Sequence, residues 1–126
     1  MAVLLGKGVT NLNTRAGVDA KVVASTILYT VPAGKTAIIH GITVRCTAAS
    51  GISAGATAQV EVAPTSGDIF GSQTWAGVHA QHDRWDYAAG GKSKVITAGQ
   101  NLLLNITAGA TGTSQTMSVD IVGHLV

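Results

Sequence analysis

Very little in this chain carries charge, sulfur or an aromatic ring. A single cysteine, Cys46, excludes an intrachain disulfide and any site built on several thiolates, and it suits a chain folded in a reducing cytoplasm. Charged residues are 11% of the 126 residues, against about a quarter in typical soluble domains. A surface so poor in charge fits a protein that packs against copies of itself or a larger assembly, where each charge would have to be desolvated. The eight Lys and Arg, at Lys7, Arg15, Lys21, Lys35, Arg45, Arg84, Lys92 and Lys94, form no cluster, and the net charge is +2. That excludes the basic patch by which nucleic-acid binders gather phosphates, so no nucleic-acid partner is expected. No apolar run approaches the roughly 18 residues of a membrane-spanning helix, and no membrane partner is expected despite a mean hydropathy of +0.35. The opening run Met1–Lys7 is too short for the apolar centre of a secretory signal, so secretion through a cleaved leader is not expected.

What the chain has instead is glycine, alanine, threonine and β-branched residues in short runs. At 126 residues, 46% of them hydrophobic, it is one domain that buries roughly two-thirds of its unfolded surface. Two β-rich runs meet at Pro32-Ala33-Gly34-Lys35, where Pro32 sets φ for a first corner and Gly34 admits a positive φ; the pattern predicts a hairpin. A second Ala-Gly corner stands at Thr97-Ala98-Gly99-Gln100. Residues Met1 to Ala20 show no helical period and are expected to form an extended N-terminal arm, with the single domain spanning residues 21–126. Strands are predicted over Lys21–Val31, Thr36–Cys46, Ala56–Ala63, Ile69–Trp75, Ser93–Thr97, Asn101–Thr107 and Gln115–Val126, which makes seven, or eight if the arm pairs. Thr47–Gly55 and Ala108–Ser114 have the composition of mobile loop tips, and Gly77–Tyr87 is the one stretch with any claim to a short helix.

Alternation assigns faces. Ile38, Ile42, Val44 and Cys46, with His40 among them, share one face opposite Thr43 and Arg45. Ala58, Val60 and Val62 oppose Gln59 and Glu61; Leu102, Leu104 and Ile106 oppose Asn101, Asn105 and Thr107; Met117, Val119, Ile121 and Leu125 oppose Ser118, Asp120 and His124. Strands wet on one side imply two sheets packed face to face. The expectation is an all-β antiparallel sandwich, jelly-roll-like, of seven or eight strands.

The corner from Leu28 through Lys35 into an Ile-Ile strand, the second corner Thr97–Gln100, and the closing strand Met117–Val126 resemble those of small β-sandwich virion proteins of tailed bacteriophages, above all capsid decoration or cement proteins. The resemblance spans about residues 26–126. It implies a structural protein without a catalytic residue or cofactor, made in the host cytoplasm and bound to the outside of a capsid. Its implied partners are the major capsid protein and itself, as a homodimer or homotrimer, at the joints between shell subunits. The alternative is a carbohydrate- or receptor-binding sandwich of a phage head fibre or tail tip, in which Trp75, Trp85 or Tyr87 would stack on a saccharide.

The segment Trp75–Tyr87, read as an interaction loop, gathers both tryptophans, one of two tyrosines and two of four histidines. Trp, Tyr and Arg are enriched in interface hot spots, so Trp75, Arg84, Trp85 and Tyr87 are candidate partner contacts, as are Val3, Leu4, Leu5 and Val9 of the arm. His79 and His82 with Asp83 or Asp86 match no strong metal signature, and no metal is expected. His40, on an apolar strand face, is expected to be a hydrogen-bonded core histidine rather than a base. Glu61, Asp68, Asp83 and Asp86 are the carboxylates a hydrolase would need, yet no nucleophile elbow accompanies them and no enzyme activity is expected.

Overall fold

The computed structural model describes residues 10–88 and 94–126. Nine strands run β1 (Thr10–Asp19), β2 (Ser25–Thr30), β3 (Ala37–Ser50), β4 (Thr57–Glu61), β5 (Phe70–Thr74), β6 (Arg84–Ala88), β7 (Lys94–Ile96), β8 (Asn101–Ala108) and β9 (Ser114–Leu125). They form two antiparallel sheets, one of five strands in the order β1-β9-β3-β6 with β7 also on β3, the other of four in the order β2-β8-β4-β5. Setting β7 aside, the pairs β1/β9, β2/β8, β3/β6 and β4/β5 are nested, as in one long hairpin rolled up on itself. That is a jelly roll, and the expected antiparallel sandwich is the observed fold.

The two sheets close on a single apolar layer. Leu28, Leu102, Leu104, Ile106 and Val60 come from the four-stranded sheet and Ile39, Ile42, Val44, Met117, Val119 and Ile121 from the other, all at most 1% exposed. Burying each such side chain stabilises the fold by about 1.5–3 kcal/mol. The alternation in β8 and in most of β9 therefore reads correctly, although Leu125, at the end of its strand, stays 37% exposed and Ser118, expected on the wet face, is buried.

Several expectations change. The corner at Pro32–Lys35 exists, with Lys35 N–H bonded to Pro32 O at 3.2 Å and Gly34 at φ +73°. It joins no hairpin: β2 and β3 lie in different sheets, so the chain crosses the sandwich there. The second corner, with Gly99 at φ +80°, also links the two sheets, and the corners bond each other through Gly99 N–H to Val31 O at 2.9 Å and Val31 N–H to Gln100 O at 3.0 Å. Two similar sequences thus form one paired crossing rather than two separate hairpins.

Residues 10–19 of the expected arm pair, the eight-strand alternative: they form β1 on β9, with buried Val18 turned inward. The arm has a place there because β9 otherwise leaves an unpaired edge. Thr47–Ser50, expected in a mobile tip, extend β3 against Ser114–Thr116 of β9. Gly77–Tyr87 is not helical: turns lead into β6, and His82 N–H to Cys46 O at 2.9 Å together with Cys46 N–H to Asp83 O at 2.8 Å continue the β3–β6 ladder.

Alternation fails near the start of β3. Ile39 pairs with Gly123 and Gly41 with Val122, so His40 is an extra residue on β3. This bulge turns the face over. Ile39 is buried in place of Ile38, and His40 leaves the core for the outer surface, half-buried.

Candidate interaction surface

Trp75 follows β5 and is fully buried. Its backbone N–H donates to Ala56 O at 2.8 Å. The backbone passes so close to Gly55 that a Cβ there would lie 2.1 Å from Trp75 O. The indole Nε1–H donates to Tyr87 Oη at 2.9 Å, and that hydroxyl donates to Ala58 O at 2.8 Å. Burial pushes the Tyr87 phenol up to about 12, a rise the Trp75 bond opposes. Trp85 pairs with inward-facing Val44, so it too leans on the core, and its Nε1–H donates to Gln73 Oε1 of β5 at 2.9 Å. These rings close the sandwich where β6 and β5 face each other.

Trp75 and Tyr87 are therefore core residues and offer a partner no surface, because their polar tips satisfy one another inside the sandwich. Trp85 is half-buried and serves the same edge. Arg84 is exposed on the outer face. Val3, Leu4, Leu5 and Val9 lie outside the described residues. Asp83 Oδ2 accepts the N–H groups of His79 at 3.0 Å and Ala80 at 2.9 Å, bonds that hold its carboxyl below the usual range. Its charge is spent on the turn, and among the described residues no three His, Cys, Asp or Glu side chains gather as a metal site.

Glu61 was expected on a wet face and is fully buried instead. It accepts Thr65 N–H at 2.7 Å, Gly67 N–H at 3.0 Å, Gln59 Nε2 at 2.6 Å and Asn105 Nδ2 at 3.2 Å. Burial raises its pKa, but these four bonds outweigh burial and leave it lowered. Asp68 accepts Val62 N–H at 2.8 Å; burial opposes its ionisation and the backbone bonds outweigh that as well. Glu61 and Asp68 thus lock the loop between β4 and β5 and are not poised as acid and base.

Outside, the five-stranded sheet carries a polar row. Thr14, Asp120, Thr43 and Asp86 are successive register partners across β1, β9, β3 and β6. Thr14 Oγ1 donates to Asp120 Oδ1 at 2.6 Å, and Thr43 Oγ1 to Asp86 Oδ1 at 2.8 Å. Arg45 Nε–H meets Asp120 Oδ2 at 3.1 Å. Burial would raise the Asp120 pKa, but Thr14, Arg45 and Asn11 hold it lowered. At the sheet's other end His40 Nε2 and His124 Nδ1 share a hydrogen bond of 3.0 Å, near Ile38 and the exposed Val95, which is Ile38's register partner. The alternation of β3 and β9 already turned Thr43, Arg45 and Asp120 outward, so that part of the row was legible. What hid the rest was the reading of Arg84-Trp85-Asp86-Tyr87 as a loop, when its alternation of polar and aromatic residues is that of a one-sided strand.

No family model and no curated protein matches the sequence. Among solved structures, the chain is similar to a chain from the cyanophage Pam1 capsid asymmetric unit. The two are 17% identical, with a TM-score of 0.60, and the match covers 98% of this chain and 91% of that chain. At that identity the likeness is one of fold.

Proposed function

We propose that this protein is a structural component of a phage capsid, a decoration or cement protein that sits on the outer surface and reinforces joints between major capsid subunits. The observation that carries this reading is the likeness in fold, over 98% of this chain, to a chain of a cyanophage capsid asymmetric unit. The low charge supports it, since a surface destined for assembly loses less by being covered. So does the way all six side-chain carboxylates, on Asp19, Glu61, Asp68, Asp83, Asp86 and Asp120, accept hydrogen bonds from donors within the chain. The role is binding, without catalysis or a cofactor. Its partners are the major capsid protein and further copies of this chain, with Val3, Leu4, Leu5 and Val9 contributing apolar contacts. The saccharide-binding alternative is weakened, because Trp75 and Tyr87, two of its three candidate stacking rings, are buried.

The test is cosedimentation of the purified protein with shells assembled without it. Binding at a fixed stoichiometry, with a higher temperature of shell disruption, is expected. Protein left in the supernatant at every concentration would overturn the reading.

A further inference from the structure

Arg45 of β3 and Arg84 of β6 are direct register partners on the outer face of the five-stranded sheet. Like charges placed opposite one another across a strand pair destabilise a sheet unless something offsets them. Each cation is flanked by a carboxylate. Arg45 Nε lies 3.1 Å from Asp120 Oδ2, and Arg84 Nε lies 3.6 Å from Asp86 Oδ2. Both contacts use Nε, and the Nη groups of the two forks have no protein acceptor among the described residues. The cations also stand further out than their anions: side-chain exposure is 44% for Arg45 against 19% for Asp120, and 65% for Arg84 against 52% for Asp86.

A second copy of the chain is poorly equipped to meet these groups. Of the six acidic residues, Glu61, Asp68, Asp83 and Asp120 are engaged by internal donors, and Asp19 Oδ1 accepts Lys21 N–H at 2.9 Å. Asp86 remains, and it already accepts Thr43 Oγ1 at 2.8 Å. Nucleic acid is a poor fit too, because a phosphate backbone is gathered by a run of cations and the pair here is only two. A discrete carboxylate fits, since a guanidinium fork accepts it through two parallel N–H groups.

We propose that this face docks an acidic segment of another protein, whose carboxylates are held by the outward Nη groups of Arg45 and Arg84. The proposal goes beyond the capsid reading and does not rest on it. It is tested on the full chain, isotope-labelled, titrated with a hexaglutamate peptide and followed by NMR. Shifts centred on the Arg45 and Arg84 Nε–H signals and on the Thr43 and Ser118 amides are expected, with binding weakened severalfold between about 50 and 200 mM salt. Arg84→Gln, at an exposed position, should lower peptide affinity about threefold, and Arg45→Gln with Arg84→Gln at least about tenfold. An unchanged melting temperature of Arg84→Gln ties the first loss to the surface and not to folding. Absence of shifts, or shifts centred on Lys21 or Lys94 instead, would overturn the proposal. So would tighter binding of a short DNA duplex to the same residues, which would make the partner a polyphosphate. Concentration-dependent broadening of those signals without peptide would also overturn it, in favour of a second copy.

Discussion

Strand β6 shows two sides of the molecule in four residues. Trp85 and Tyr87 turn inward and tie the five-stranded sheet to the other sheet through Gln73, Trp75 and Ala58. Arg84 and Asp86 turn outward onto a polar face shared with Thr43, Arg45 and Asp120. The pleat makes the difference, because successive side chains leave a strand on opposite sides. Residue types associated with interfaces are therefore no guide until the strand is recognised. Here the aromatic half holds the fold and the charged half is available to a partner.

The sharpest way to break that division is Trp75→Ala. The change opens a cavity at the sandwich edge and leaves Tyr87 Oη without its donor. A loss of about 3–5 kcal/mol is expected, read as a large fall in the midpoint of chemical denaturation. The fraction that remains folded should bind its partner as the parent does. A stable variant with lost binding would return Trp75 to the surface.

How much of this was legible in the sequence depends on which signals are local. Alternation in Asn101–Thr107 and Gln115–Val126 found two central strands and most of their buried apolar residues, because one-sided burial is written residue by residue. The nested order of strands was not, since a Pro-Ala-Gly corner looks the same whether the next strand pairs with the last or crosses to the other sheet. The bulge at His40 was also invisible. It depends on the match of β3 to β9, and one extra residue inverts every face before it. Glu61 misled for a related reason: its position on β4 reads as wet, but the loop it bonds folds over it and supplies Thr65 and Gly67 N–H donors. The candidate surface was half-legible, its outward row written in β3 and β9 and its edge on β6 lost to a loop reading.

Acid should separate the two regions next. Glu61, with an ordinary value of 4.5, and Asp68 and Asp120, with 3.8, are all lowered in the folded state. Groups depressed by folding contribute stability that is full above their unfolded values and is lost as pH falls through the folded ones. Stability should therefore be level from neutrality to about pH 5 and decline below about pH 4.5. Hydrogen exchange at Thr65 and Gly67 should quicken there before exchange in β8 does. Glu61→Gln should cost about 1–3 kcal/mol, because its amide group turns a donor toward a backbone donor, and it should flatten part of the acid decline. A decline of unchanged size in the variant would remove Glu61 from the account.

The smallest effect is expected one residue from the aromatic half of β6. Arg84→Gln removes an exposed ion pair whose Nε to Asp86 separation is 3.6 Å and also relieves the like charge of Arg45 opposite. Exposed pairs are worth about 0–1 kcal/mol, and the relieved repulsion acts in the other direction, so the two contributions nearly cancel. Stability should change by less than about 0.5 kcal/mol in either direction. Trp85→Ala, the very next residue, should lower stability measurably, since it strips a half-buried ring from the core edge and leaves Gln73 Oε1 without its indole donor. Denaturation midpoints of the two variants, measured side by side, give the contrast directly. If Arg84→Gln proved as destabilising as Trp85→Ala, the outward row would be part of what holds the sheet, and the division of β6 into a structural side and a binding side would fail.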